Sequence, residues 1–135
     1  MSEVVKPKPQ FGKMRLIDAL GYRLPLAGLV SILHRGSGML MFVLLPFVLF
    51  LLDKSLTSES SFSYFQSFTS GVFVKLVILA LSWAYLHHFC AGIRHLLMDL
   101  HLGLDKVSGR QSAVAVLVIS LVLTALIALK LFGAF

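Results

Sequence analysis

The sequence predicts an all-α integral membrane protein with three transmembrane helices, and three observations carry that prediction. The 135 residues are 58% hydrophobic, with a mean hydropathy of +0.91. Only 13% are charged, against about 25% in soluble domains. The apolar residues also fall into three runs that each reach the length a bilayer core requires, about 20 helical residues. A charge deficit this large makes lipid the solvent of most of the chain.

Residues 1–23, MSEVVKPKPQFGKMRLIDALGYR, precede the first run. They are basic and punctuated by proline, and read as a cytoplasmic N-terminal segment with an amphipathic end. The rest, residues 24–135, forms one three-helix membrane domain with no internal repeat. Its first span runs from about Leu24 to Leu52, and nothing from Gly36 to Leu52 is charged. Pro46 lies inside it, where membrane helices tolerate a kink. The second span covers about 72–98, with no Lys, Arg, Asp or Glu between Lys75 and Arg94. The third covers about 112–131, with nothing ionisable between Arg110 and Lys130. Its polar groups are Ser and Thr alone, which suits a scaffold helix packed through small residues. These runs are too long and too central for a cleaved signal peptide.

Charge placement sets the expected orientation. Twelve Lys and Arg against six acids give a formal charge of +6. Lys6, Lys8, Lys13, Arg15 and Arg23 lie in the N-terminal segment, and Lys106 and Arg110 in the second connection, with Arg94 nearby. The first connection, DKSLTSESSFSYFQSFTSG, is Ser-rich and nearly neutral. Positive residues stay on the cytoplasmic side, so the N-terminus and second connection are expected inside, and the Ser-rich loop and C-terminus outside. The basic excess therefore reads as membrane topology rather than nucleic-acid binding. Phe62, Tyr64, Phe65 and Phe68 in the outer loop are placed to rest at the interface. The single Cys90 excludes an internal disulfide and reads as a small buried hydrophobe.

Two polar faces interrupt this apolar pattern. SILHRGSG, residues 31–38, opens the first span. Ser31, His34, Arg35 and Gly38 fall at i, i+3, i+4 and i+7, one face of a helix. A charged residue within a span costs about 2.5–3.5 kcal/mol on insertion scales and marks a function with a partner. The alternative for Arg35 is snorkelling to the headgroups. A hydroxyl, an imidazole and a guanidinium on one face suit a ligand bearing carbonyls or carboxylates.

In the second span, SWAYLHHFCAGIRHLLMDLH, residues His88, Gly92, His95 and Asp99 again share one side. Imidazole is a frequent ligand of metals and of haem iron. Gly92 leaves room there for a flat macrocycle. His88 and His95 are about 10 Å apart along the axis, so they do not share one iron, and a second axial histidine must come from another helix. His87 points about 100° away from His88 on a helix. The alternative for each histidine is an interhelical hydrogen bond.

Together, SILHRGSG, His88 followed by GIRHLLMD, and the basic N-terminal segment resemble the cytochrome b556 membrane-anchor subunits of succinate dehydrogenase. The resemblance spans the three helices. It implies a four-subunit complex in which a flavoprotein oxidises succinate, an iron–sulfur subunit carries electrons, and two small anchors hold haem b and ubiquinone between them. It implies that His88 is an axial haem ligand, the other histidine coming from the second anchor subunit. It further implies that Ser31 and Arg35 line the ubiquinone pocket, that His34 and Arg35 lie near the haem propionates, and that Asp99 helps supply protons. The chain departs from the family pattern by carrying His87 beside His88. Counting seven residues back from His95 selects His88, and His95 is left without a role.

The resemblance implies a multi-pass protein of the bacterial inner membrane that does no chemistry on succinate itself. The N-terminus lacks an Arg- and Ser-rich transit peptide. Two further readings fit the same residues: the anchor of a quinol:fumarate reductase, and a non-enzymatic three-helix scaffold whose histidines bond only neighbouring helices.

Overall fold

A computed structural model describes residues 24–133. The expected cytoplasmic segment 1–23 lies outside these residues. Five helices follow in order: α1 (Leu26–Val43), α2 (Leu45–Leu56), α3 (Glu59–Ser70), α4 (Val72–Asp99) and α5 (Lys106–Leu131). The described residues contain no strand, as the sequence predicts. Three of the helices, α1, α4 and α5, are long and apolar enough to cross a membrane. The protein is a multi-pass membrane protein.

The first expected span is two helices joined at Leu44. Pro46 has no N–H to return to the carbonyl four residues back, so α1 ends at Val43 and α2 restarts with the proline in its first turn, where the missing donor costs nothing. Leu44 N–H still reaches Leu40 O at 3.0 Å and Val48 N–H reaches Leu44 O at 3.1 Å. The chain therefore bends without losing its helical path.

The Ser-rich connection differs more. It reads as a loop in sequence, yet most of it is helix α3. Ser58 caps it, its Oγ accepting from Ser61 N–H at 3.1 Å. Serines compete with helix backbone in mid-helix but favour its N-terminus, and the cluster at the start conceals the aromatic periodicity that follows. Phe68 packs on Phe47 and Phe50 of α2 at 6.5 and 5.8 Å and on Tyr64 at 6.0 Å.

At the other end of α4 the chain turns quickly. Leu102 N–H bonds Leu97 O and His101 N–H bonds Met98 O, with His101 in the left-handed region at φ 62°. This is a Schellman closure of the helix. Asp105 then caps α5, its carboxylate accepting from Ser108 N–H at 2.9 Å. Helix α5 thus begins at Lys106, earlier than the expected 112.

Helices α1, α4 and α5 form the bundle, with α4 packed against both others. The centre is made of small or β-branched residues: Val30, Ala91 and Ala113 are fully buried, with Val116 and Ser120 beside them. Small side chains let helices approach closely in lipid, where packing rather than hydrophobicity drives association. The outer faces are apolar, Phe42 and Phe73 each being 77% exposed, which fits lipid and neighbouring chains as their surroundings.

Candidate functional site

The crossing of α1 over α4 joins the two polar runs. The rings of His34 and His88 stack with centroids 4.0 Å apart and planes 18° apart. His34 also meets His95 at 5.0 Å, tilted by 49°. His88 and His95 lie two turns apart on α4, and the His34 ring sits between them, over Gly92. A Cβ at Gly92 would touch His34 Nε2 at 3.7 Å. The arrangement is reciprocal, because His88 sits over Gly38 of α1. A Cβ there would come within 2.9 Å of His88 Cε1 and 3.3 Å of Nδ1.

Hydrogen bonds fix the His88 ring. Its Nδ1 lies 3.0 Å from the backbone carbonyl of His34 and 3.3 Å from Ser37 Oγ. A carbonyl oxygen only accepts, so Nδ1 carries the proton and donates. Nε2 then keeps its lone pair, and it has no hydrogen-bond partner among the described residues. His88 itself is half-buried.

His87 differs in every respect. It is fully buried toward the bundle interior and stacks on Trp83 at 5.4 Å. Neither of its ring nitrogens has a hydrogen-bond partner among the described residues.

Of the residues singled out in the sequence, His34, His88, Gly92 and His95 come together. Ser31 is half-buried on the neighbouring edge of α1, while Arg35 and Asp99 are exposed. Sequence reasoning did not single out Ser37, which is 2% exposed and three residues after His34. No local signal separates it from Ser31, since both stand three residues from His34. Nor did it assign a structural role to Arg94, read only as a cytoplasmic charge. Arg94 is 5% exposed; its Nε donates to Ser112 Oγ at 3.0 Å and its Nη2 to Gly109 O at 3.3 Å. It ties α4 to the first turns of α5.

Comparison with known proteins gives the family of the chain. The family model for the succinate dehydrogenase/fumarate reductase transmembrane subunit matches residues 17–127. A succinate dehydrogenase cytochrome b556 subunit of Coxiella burnetii is 35% identical over 107 residues, covering 78% of this chain and 86% of its own. Proteins of the same description are 31% identical in Rickettsia felis, over 78% of this chain and 82% of that one, and 30% in Paracoccus denitrificans, over 78% and 81%. The match runs through both polar faces and all three spans, and the chain belongs to the succinate dehydrogenase/fumarate reductase transmembrane subunits.

Proposed function

We propose that this chain is the anchor of a succinate:ubiquinone oxidoreductase that binds haem b through His88 and forms part of the ubiquinone site. It is a membrane subunit of a succinate dehydrogenase complex; the haem, the quinone and their residues are the inference. The observation that carries it is the state of His88. Its Nδ1–H is tied to α1, and its Nε2 lone pair is left for a metal on a half-buried ring. The residues fit the group that the name cytochrome b556 implies in the relatives. Haem b, when bound, would supply a one-electron carrier, and His88 together with a histidine of a second small anchor would hold it.

The remaining roles belong to side chains here. Ser31 and Arg35 donate hydrogen bonds to the carbonyl oxygens of ubiquinone and stabilise the negative charge that develops on the ring as it is reduced. Arg35 and His34 pair with the haem propionates, a carboxylate suiting the planar fork of arginine. Gly92 provides the gap beside the haem ligand. Asp99, exposed at the end of α4, passes protons from water. The flavoprotein and the iron–sulfur subunit dock on this side, and the flavoprotein carries out the chemistry on succinate. The N-terminus is cytoplasmic and the membrane is the bacterial inner membrane.

The test separates the quinone from succinate. In assembled complexes, Ser31→Ala and Arg35→Leu should lose quinone reduction with succinate, Arg35→Leu more severely. Loss of a hydrogen bond to a charged group costs about 1.5–3 kcal/mol, or tenfold and more in rate. Reduction of an artificial dye that accepts electrons upstream of the quinone should persist. Unchanged quinone reduction in Arg35→Leu would make this face a packing surface only.

A further inference from the structure

We propose that Ser37 is a positioning residue for His88: it adds a second acceptor at the ring N–H and so raises the donor strength of the nitrogen left free for iron. The proposal rests on the reading of His88 as a haem ligand. Ser37 lies on the buried face of α1, 2% exposed. Its single hydroxyl proton goes to the His34 carbonyl at 2.8 Å. Its Oγ therefore offers only lone pairs to His88 Nδ1, 3.3 Å away. The His34 carbonyl, 3.0 Å from the same nitrogen, offers only lone pairs as well.

Two acceptors with no proton to give converge on Nδ1. The tautomer protonated at Nε2 would set a lone pair against the carbonyl, which alone excludes it. Ser37 adds a second acceptor to the same N–H. The two acceptors also flank the N–H and hold the ring plane, while Gly38 provides the space the ring occupies. Partners of this kind on the far nitrogen of a ligating histidine raise its basicity. A more basic imidazole favours ferric over ferrous iron. Ser37 is therefore a device for lowering the haem potential.

The experiment is a potentiometric titration of the haem, with electron paramagnetic resonance of its low-spin signal, on the assembled four-subunit complex. Ser37→Ala should keep its haem content but raise the midpoint potential, by less than the roughly 59 mV that a tenfold change in a one-electron equilibrium represents. The low-spin g-values should move with it. Ser37→Thr, which keeps the hydroxyl, should return both toward the native values. Ser120→Ala, removing a buried serine of α5 bonded only to its own helix, should leave both in place. An unchanged or lower potential in Ser37→Ala overturns the proposal, as does loss of haem that Ser37→Thr does not reverse. His88→Ala tests the underlying reading separately. If the low-spin signal survives there, the ligand assignment fails and the role of Ser37 falls with it.

Discussion

Gly38 of α1 and His88 of α4 are in such close contact that a single methyl group at residue 38 would lie 2.9 Å from His88 Cε1. No real Cβ contact is that short, so something has to move. The ring cannot move cheaply, because Nδ1 is bound to the backbone of α1. Gly38→Ala should therefore push His88 off its seat, at a cost of about 1–3 kcal/mol for overpacking. We expect loss or broadening of the low-spin haem spectrum. Gly36, two residues away, has nothing within 4 Å of its Cβ position. Gly36→Ala should leave the spectrum intact, and equal damage from both would show that helix flexibility, not the ring contact, is at stake.

The adjacent histidines should respond oppositely. His88→Ala removes the proposed ligand and should abolish the haem signal. His87→Leu removes two buried nitrogens that have no partner among the described residues. An unsatisfied buried polar group costs about 1–3 kcal/mol, so the variant should retain haem and unfold at an equal or higher temperature. Loss of haem from His87→Leu alone would reverse the assignment.

Much of this was legible in the sequence, because lipid imposes a strict pattern. Long apolar runs with few charges have few alternatives to a spanning helix; the second and third runs are the long helices α4 and α5, and the first is α1 continued by α2 beyond Leu44. A 100° turn separates His87 from His88 on the helix, and the structure accordingly buries one and leaves the other half-buried. What escaped was decided by tertiary contact. Nothing local distinguishes Ser37 from Ser31, yet the crossing angle of α1 over α4 buries Ser37 and leaves Ser31 half-open. Arg94 reads as a topological charge until the start of α5 is known to lie at Lys106, which brings Gly109 and Ser112 within reach. Helix α3 escaped because serine favours both caps and loops, and composition does not separate the two.

Arg94 provides a test of that packing. Its guanidinium bonds a side chain and a carbonyl of α5. Hydrogen bonds from charged groups contribute about 1.5–3 kcal/mol, and lysine does not reproduce the planar fork. Arg94→Ala and Arg94→Lys should both lower the unfolding temperature of the detergent-solubilised complex, and the haem potential should stay near native in the fraction that assembles. A native unfolding temperature in both variants would mean that Arg94 does not join the helices.

Topology is checked by fusion. If Lys and Arg set the orientation, a reporter joined after Phe135 should be active outside the cytoplasm and one placed at Lys106 active inside. The reverse pattern would put Ser31 and Arg35 on the side away from a cytoplasmic dehydrogenase and defeat the quinone assignment.

The turn into α5 carries a pH dependence of predictable sign. Asp105 is held below its usual value of 3.8 by the Ser108 N–H and, secondarily, the Ser108 side chain. A carboxyl with a depressed folded-state value stabilises the fold in its ionised form. The contribution is complete above about pH 3.8 and is lost as the pH falls through the lower folded-state value. The amide proton resonance of Ser108 reports this directly. It should be constant from neutral pH down to about 4 and shift only below 3.8. Asp105→Asn, which can still accept from the backbone, should keep the amide bonded and remove the titration. Asp105→Ala should release it at every pH. A midpoint above 3.8 at the Ser108 amide would mean that the carboxylate does not hold this cap.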